Sequence, residues 1–249
     1  MENKNRKLAF GVENARRAYR LRLARYQALA EDIDIYMRRM NSSKKFNLLD
    51  IGLGSGRSMR YIDNICDSTK INFFGIDNSL RRLRSIYQPK RWILKQVDIE
   101  KEKIPFERHR FEIVICEQVL EHLENPQYVL LEIERILKPE GMLVIGVPTF
   151  PPGVAFARSF VLAILKRFFC TTRPHVQSFS YHSMRSLIQR SGKLKVVKIR
   201  GFRIVSGGII GVLENYRWWY KFNRWVGRVF PYFCTELQFI AFNFRFENI

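Results

Sequence analysis

An apolar run that stops at three alternating glycines constrains this chain more than any other feature. Residues 46–51 (Phe-Asn-Leu-Leu-Asp-Ile) have the pattern of a buried strand, and Gly52, Gly54 and Gly56 follow at once. Glycine removes Cβ where a ligand approaches the backbone closely or where φ turns positive. An ordinary turn needs one or two such residues. The pattern therefore predicts a strand, a turn that binds a nucleotide-like ligand, and a helix capped by Ser55.

Strand-like and helix-like segments alternate after this turn. Apolar runs of strand length end at Asp77, Asp98 and Cys116-Glu117, and another occupies residues 142–147. Crossovers of about 25 residues favour a parallel sheet with helices on both faces. Ligands of such sheets bind at the carboxyl ends of the strands, where these polar side chains fall. Asp77 lies 21 residues beyond the last glycine, where a carboxylate accepts hydrogen bonds from ribose hydroxyls.

Charge is divided unevenly along the 249 residues. Residues 1–45 contain 12 basic and 5 acidic side chains, residues 46–150 contain 15 of each, and residues 151–249 contain 16 basic and 3 acidic ones. A neutral core between two cationic flanks predicts an anionic partner, and both a membrane surface and RNA fit that description. The alternative is positive charge that serves only solubility.

Cysteine usage and hydropathy predict the compartment. The four cysteines show neither the pattern of a disulfide framework nor the spacing of zinc ligands. Residues 1–10 are polar and lack the apolar core of a signal peptide. No run of about 18 uncharged apolar residues occurs. We therefore expect a cytoplasmic protein, peripheral to a membrane if its cationic flanks bind lipid.

The cationic flanks also carry apolar and aromatic side chains. Residues 13–40 repeat apolar positions at spacings of three and four, which predicts one amphipathic helix that docks on the main domain or lies on a membrane. Residues 150–173 predict a short apolar helix with a basic end. Residues 203–235 interleave Trp, Tyr and Phe with Arg and Lys. That mixture suits a membrane interface, base stacking in RNA, or a cap packed over an acceptor pocket.

Five stretches, in their order and spacing, resemble the class I S-adenosylmethionine-dependent methyltransferases, in particular the group of small-molecule methyltransferase-like domains. They are 49–56 (Leu-Asp-Ile-Gly-Leu-Gly-Ser-Gly), 75–77 (Gly-Ile-Asp), 97–99 (Val-Asp-Ile), 119–122 (Val-Leu-Glu-His) and 136–149 (Ile-Leu-Lys-Pro-Glu-Gly-Met-Leu, then Val-Pro-Thr at its end). A nicotinamide-dependent dehydrogenase would show Gly-x-Gly-x-x-Gly instead.

The resemblance implies an α/β fold with a Rossmann-like, doubly wound, seven-stranded sheet. That sheet is mostly parallel with an antiparallel last strand, and residues 194–202 and 236–246 supply the two final strands. We expect an N-terminal basic helix in residues 1–45 and the methyltransferase domain in residues 46–249. Its cofactor-binding half would be residues 46–149, and the acceptor-side insertions would be residues 150–173 and 203–235.

By this resemblance the cofactor is S-adenosyl-L-methionine. Asp77 would hold the ribose hydroxyls, with Asn78 beside it. Asp98 would accept the adenine amino group, and Ile99 would lie near the ring. The remaining cofactor residues would be the turn that holds the sugar and methionine, together with the end of the fourth strand at the transfer centre: Asp50, Gly52, Leu53, Gly54, Ser55, Gly56, Cys116 and Glu117.

These motifs do not identify the methyl acceptor. His175 stands where related methyltransferases often have a histidine or an acid facing the acceptor, and an imidazole can act as a general base there. Glu121 and His122 resemble part of a metal-binding cluster, but Gln118 stands where that cluster has an acid. We therefore predict no metal, and leave a site formed by Glu121, His122 and His175 open.

The favoured function is methyl transfer to a small, lipophilic acceptor, on oxygen. RNA methylation of the 2′-O type, with the basic flanks on the RNA backbone, is the first alternative. A non-catalytic module that only binds S-adenosyl-L-methionine is the second.

Overall fold

The computed structural model describes residues 7–84, 92–149, 177–204 and 209–244. Its strands are β1 (Leu8–Ala9), β2 (Glu13–Asn14), β3 (Phe46–Ile51), β4 (Ile71–Asp77), β5 (Ile93–Gln96), β6 (Phe111–Glu117), β7 (Leu137–Pro148), β8 (Leu194–Phe202) and β9 (Glu236–Asn243). Seven of them form one sheet in the order β5-β4-β3-β6-β7-β9-β8. Neighbouring strands are parallel except in the two pairs that include β9. The predicted seven-stranded fold is confirmed.

Helices cover both faces of this sheet. They are α1 (Ala24–Met40), α2 (Arg57–Ile65), α3 (Arg81–Arg84), α4 (Pro126–Ile136), α5 (Tyr181–Gln189) and α6 (Arg217–Val229). Successive side chains of a strand point to opposite faces. Leu48 accordingly packs in the cluster beneath α1 and α2, whereas Leu49 packs in the cluster beneath α4 and α5. We call the side of the sheet where the parallel strands end the carboxyl edge; the antiparallel β9 begins there.

The N-terminal segment differs from the single helix predicted over residues 13–40. It begins with the β1–β2 hairpin, continues through a 3₁₀ turn (Leu21–Leu23), and is α-helical only from Ala24. Glu13 pairs with Arg57 of α2, and the Tyr19 N–H donates to the Glu214 carbonyl at 2.8 Å. These tertiary contacts hold the first residues out of the helix. The apolar stripe of α1 packs on the main domain. This is the first of the two outcomes predicted for the N-terminal helix; the other was binding to a membrane.

Two local predictions are corrected. Ser55 does not cap α2. The N-cap residue is Gly56, with φ 70°, and no side chain forms a capping hydrogen bond at this end of the helix. Strand β7 begins at Leu137, earlier than the predicted Met142. Leu137 pairs with Phe111 and Met142 pairs with Ile113, so the register shifts between these pairs and β7 includes an irregular stretch at its start.

No helix in the part of the chain that the structure describes is both long enough and apolar enough to cross a membrane.

Candidate active site

The glycine turn joins the end of β3 to α2. Gly52, Gly54 and Gly56 have φ values of 69°, 53° and 70°, so the positive φ predicted for this turn is confirmed. Their surroundings differ. A Cβ on Gly52 would overlap Val119, and one on Gly56 would lie 2.9 Å from Leu83 Cδ1, whereas the nearest atom to a Cβ on Gly54 is a carbonyl oxygen 3.9 Å away. Gly54 is therefore the glycine of this turn that borders open space.

Asp77 ends β4 beside this turn. Its Oδ2 accepts a hydrogen bond from the Gly54 N–H at 2.8 Å, and its Oδ1 accepts one from the Ser79 N–H at 2.9 Å. The Gly52 N–H donates to the Ile76 carbonyl at 2.8 Å. A carboxylate offers about four acceptor positions. Asp77 is thus fixed in place and keeps acceptor positions for a ligand.

The predicted adenine contacts lie one strand further out, after β5. The Val97 N–H donates to the Asp77 carbonyl at 2.9 Å, which brings Asp98 next to the end of β4. Asp98 Oδ1 accepts from the Glu100 N–H at 3.2 Å, and Asp98 is partly exposed. Ile99 is buried.

The other predicted residues near the turn differ in exposure. Leu53 is buried beneath the turn, Ser55 is half-buried, and Asn78 is exposed after β4. Asp50 belongs to β3 itself and is 1% exposed, and its Oδ2 accepts a hydrogen bond from the Ser58 hydroxyl. Burial raises the pKa of Asp50 to about 7, although the Ser58 hydrogen bond opposes this shift. Asp50 therefore lies under the turn rather than on its open side.

The end of β6 carries the predicted pair at the transfer centre. Cys116 is fully buried, and burial raises the pKa of its thiol well above the usual value. Glu117 is buried as well. Its Oε1 accepts a hydrogen bond from the Gln238 side chain, and its Oε2 lies 3.5 Å from Arg25 Nε. Burial raises the pKa of Glu117, and the positive charge of Arg25 opposes that rise.

Arg25 of α1 is buried, although it belongs to the basic N-terminal flank. The residue is 7% exposed and lies between two acids, with Nη1 2.8 Å from Glu236 Oε2. Glu236 also pairs with Arg203 at 2.7 Å. No local signal distinguishes this arginine from its neighbours, because its partners are separated from it by about ninety residues or more along the chain. The network joins α1 to the carboxyl edge.

Glu121 follows β6 in a short 3₁₀ turn and was considered above only as a metal ligand. It is 1% exposed, and its Oε2 forms no hydrogen bond with any residue that the structure describes. His122 Nε2 lies 3.9 Å from Glu121 Oε1. Burial raises the pKa of Glu121 to about 7, and the negative charge of Glu117 adds to the rise. A carboxyl group that exchanges its proton near neutrality is suited to acid–base chemistry.

Gln118 is a strained residue that the sequence motifs did not indicate as part of this site. Its φ is 59°, in the left-handed region that favours glycine, and its N–H donates to the Gly146 carbonyl at 2.8 Å. Its side-chain Nε2 is buried and forms no hydrogen bond within the described ranges. Strain and an unpaired buried donor occur together at functional sites more often than elsewhere.

His175 and the insertion of residues 150–173 lie outside the described residues, so the general-base role of His175 stays a prediction. The described residues on either side reach the carboxyl edge. The Thr149 N–H donates to the Thr235 carbonyl at 3.0 Å, and the Gln177 N–H donates to the Glu121 carbonyl at 3.2 Å. Within the described ranges, no group of three or more His, Cys, Asp or Glu side chains could hold a metal ion.

One open recess lies elsewhere. It has a volume of about 490 Å³ and lies beside the loop that leads into the amino end of β6. It contains none of the predicted site residues, so the carboxyl edge is the candidate site. The residues lining the recess are Lys103, Ile104, Pro105, Phe106, Glu107, Arg110 and Arg135.

The sheet order, with an antiparallel β9 between β7 and β8, and the glycine turn beside an acid at the end of β4 define the class I methyltransferase fold. A family model described as a methyltransferase domain matches residues 49–145. The chain therefore contains a class I S-adenosylmethionine-dependent methyltransferase domain, and S-adenosyl-L-methionine is the cofactor of that domain.

Two curated relatives align with half of this chain. An uncharacterized protein of Methanocaldococcus jannaschii is 30% identical over 121 residues, which are 49% of this chain and 49% of that protein. The glycine/sarcosine/dimethylglycine N-methyltransferase of Actinopolyspora halophila is 25% identical over 124 residues, which are 49% of this chain and 21% of that protein. The alignments thus span half or less of the relatives' own lengths.

A solved structure matches over most of the fold. The protein of Bacillus halodurans C-125, assigned as a methyltransferase, aligns with a TM-score of 0.60 at 16% identity, covering 88% of this chain and 99% of that one. At this identity the match shows the fold alone.

Proposed function

We propose that this protein transfers a methyl group from S-adenosyl-L-methionine to the hydroxyl oxygen of a small, lipophilic acceptor at the carboxyl edge. The observation that carries the proposal is Glu121, a buried carboxyl group shortly after β6 with a pKa of about 7. One of its oxygens has no hydrogen-bond partner among the described residues. Hydroxyl acceptors need a general base as the bond to carbon forms, whereas more nucleophilic acceptors need it less.

The residues of the turn fit the cofactor. Asp77 keeps acceptor positions free for two ribose hydroxyls, and Gly54 leaves space for a ligand close to the backbone. Asp98 is assigned to the adenine amino group and Ile99 to the ring face. When bound, the cofactor supplies an electrophilic methyl group on a sulfonium. The chain's own part is to hold the acceptor in line with that group and to remove its proton.

Glu121 supplies the base in this scheme. In its ionised form the carboxylate accepts the proton of the acceptor hydroxyl, while the oxygen of the acceptor takes the methyl group. Arg25 does not neutralise Glu121 strongly, because it is paired with Glu117 and Glu236. The pKa of Glu121 therefore stays high enough for the group to accept a proton effectively near neutral pH. His175 remains the second candidate for this role.

Cofactor binding tests the assignment of Asp77. Calorimetry with S-adenosylhomocysteine should show that Asp77→Ala weakens binding about tenfold to a hundredfold, the usual effect of losing hydrogen bonds to a charged group. Glu107→Ala removes an exposed carboxylate in the loop before β6 and serves as the control. Equal affinities for wild type and Asp77→Ala would remove this carboxylate from the cofactor site.

The pH profile of methyl transfer tests the base. We expect labelled methyl groups to pass to members of a panel of phenols, catechols and fatty alcohols, with kcat/KM rising with pH through about 7 as Glu121 ionises. Glu121→Gln should lower kcat/KM by about 10²- to 10⁴-fold and flatten the rise, with S-adenosylhomocysteine binding retained. Label that appears only in amines, or an unchanged profile in Glu121→Gln, would overturn the proposal. Cofactor binding without transfer to any acceptor would favour the non-catalytic alternative.

A further inference from the structure

Helix α6 turns an apolar stripe away from the protein. Trp218, Phe222, Trp225 and Val229 recur at spacings of four, three and four residues, and they are between 46% and 58% exposed. At about 100° per residue they fall within an arc of about 60°. The rings of Phe222 and Trp225 lie 6.3 Å apart, so the stripe forms a continuous surface.

The opposite side of α6 contacts the rest of the protein, and its buried residues are small or polar. Asn223 and Gly227 are its buried residues. A Cβ on Gly227 would overlap the carbonyl oxygen of Gly201 near the end of β8. Tyr220 packs against Phe10, with ring centroids 5.1 Å apart. This close crossing at two glycines fixes the direction in which the helix faces and leaves the stripe of Trp218, Phe222, Trp225 and Val229 outside.

Three cations lie along one flank of the stripe. Arg217, Lys221 and Arg228 are exposed and form no ion pair within the described part of the chain. By helical geometry they fall within an arc of about 40°. The sole acid in the sequence of residues 203–235 is Glu214, which is buried and lies 3.6 Å from Arg17. The outward surface of α6 is therefore apolar and positively charged.

Further exposed apolar side chains occur just before and just after the helix. They are Ile210, Val212, Phe230 and Phe233. A concentration of such side chains marks a surface that interacts with another molecule. RNA bases would stack on the aromatic rings, but aliphatic side chains gain nothing from stacking. Insertion into the acyl boundary of a membrane removes both kinds from water, while the cations bind lipid phosphates.

We propose that the outward face of α6 docks this protein on an anionic membrane surface. The stripe of Trp218, Phe222, Trp225 and Val229 would lie at the acyl boundary, with Arg217, Lys221 and Arg228 at the headgroups. Because α6 crosses the end of β8, docking places the carboxyl edge close to the lipid. The docking does not depend on the proposed methyl acceptor, and it is measured without turnover.

Vesicle sedimentation with the full chain tests the proposal. We expect binding to vesicles of equal parts phosphatidylglycerol and phosphatidylcholine, with a blue shift of tryptophan emission, and at least about tenfold weaker binding to phosphatidylcholine alone. A triple variant that reverses the three charges should bind vesicles about a hundredfold more weakly, since each basic residue near an anionic surface raises the affinity about fivefold. This variant is Arg217→Glu/Lys221→Glu/Arg228→Glu. Trp218→Ala/Trp225→Ala should weaken it about tenfold or more and remove most of the blue shift.

A matched control has the same change of charge elsewhere. Arg39→Glu/Lys44→Glu/Lys45→Glu alters three exposed residues at the opposite, amino edge of the sheet and should change vesicle affinity less than about threefold. Binding of S-adenosylhomocysteine by every variant shows that its fold is retained. Absence of vesicle binding by the wild type, or equal losses in the control and α6 variants, would overturn the proposal. So would salt-sensitive RNA binding without vesicle binding, or a dimer that Trp218→Ala/Trp225→Ala abolishes while vesicles are not bound.

Discussion

Helices α1 and α6 are amphipathic neighbours that behave in opposite ways. Helix α1 has three basic and three acidic residues, whereas α6 has four basic and no acidic ones. Arg224 of α6 pairs with Glu31 of α1 at 3.2 Å. Helix α1 buries its apolar stripe, including Leu29 and Ile33, against α2 and the sheet. Helix α6 instead exposes the stripe of Trp218, Phe222, Trp225 and Val229, and packs Tyr220 against the N-terminal segment.

The difference shows that an amphipathic pattern fixes a stripe but not the direction in which it faces. The inner surface met by α1 is an apolar sheet face, which favours contact with large side chains. The inner surface met by α6 is the backbone of Gly201, and only a residue without Cβ such as Gly227 can lie against it. The available space, rather than hydrophobicity, therefore orients α6.

The largest expected contrast is between two arginines. Arg25→Ala in α1 leaves Glu117 buried without its ion pair, which should lower the free energy of unfolding by about 3–5 kcal/mol. Arg228→Ala, on the exposed face of α6, should change it by less than about 0.5 kcal/mol. Urea denaturation measures both. Adding Glu117→Gln to Arg25→Ala should recover part of the loss, and similar values for the two arginines would break the comparison.

The apolar stripes give the next contrast. Ile33 is fully buried, so Ile33→Ala should cost about 2–5 kcal/mol in the free energy of unfolding. Trp225→Ala removes a larger side chain, but Trp225 is 55% exposed. This substitution should therefore lower the free energy of unfolding by about 0.5 kcal/mol or less. The same denaturation experiment serves for both. A cost for Trp225→Ala that matched the cost for Ile33→Ala would mean that the α6 stripe is covered within the protein.

The smallest effect concerns the ion pair that joins the two helices. Glu31 is partly exposed, so its coupling with Arg224 should be about 0.5 kcal/mol and should decrease as salt is added. A double-mutant cycle with Glu31→Ala and Arg224→Ala measures this coupling energy directly. A coupling several times larger, insensitive to salt, would show that the two helices behave as one buried unit.

Prediction from the sequence was most complete in the cofactor-binding half. The glycine turn and Asp77 came together as expected, because the carboxyl ends of adjacent parallel strands meet at one edge. Strand β8 has the predicted bounds, Leu194–Phe202. The non-helical N-terminal segment was missed because distant residues hold it in place: Tyr19, between the hairpin and α1, donates its N–H to the Glu214 carbonyl, far away in the sequence. The cofactor roles and the domain division stay predictions.

The sequence by itself determined the order of the parallel strands from β3 to β7, the place of the glycine turn and the neutral charge of the region around it. These properties depend on local conformational preference and on the period of apolar residues. Tertiary structure alone decided that Arg25 is buried between Glu117 and Glu236, that Glu121 is buried, and that α6 faces outward. Each of these depends on charges or backbone atoms brought together from distant parts of the chain, and a local pattern holds no information about such contacts.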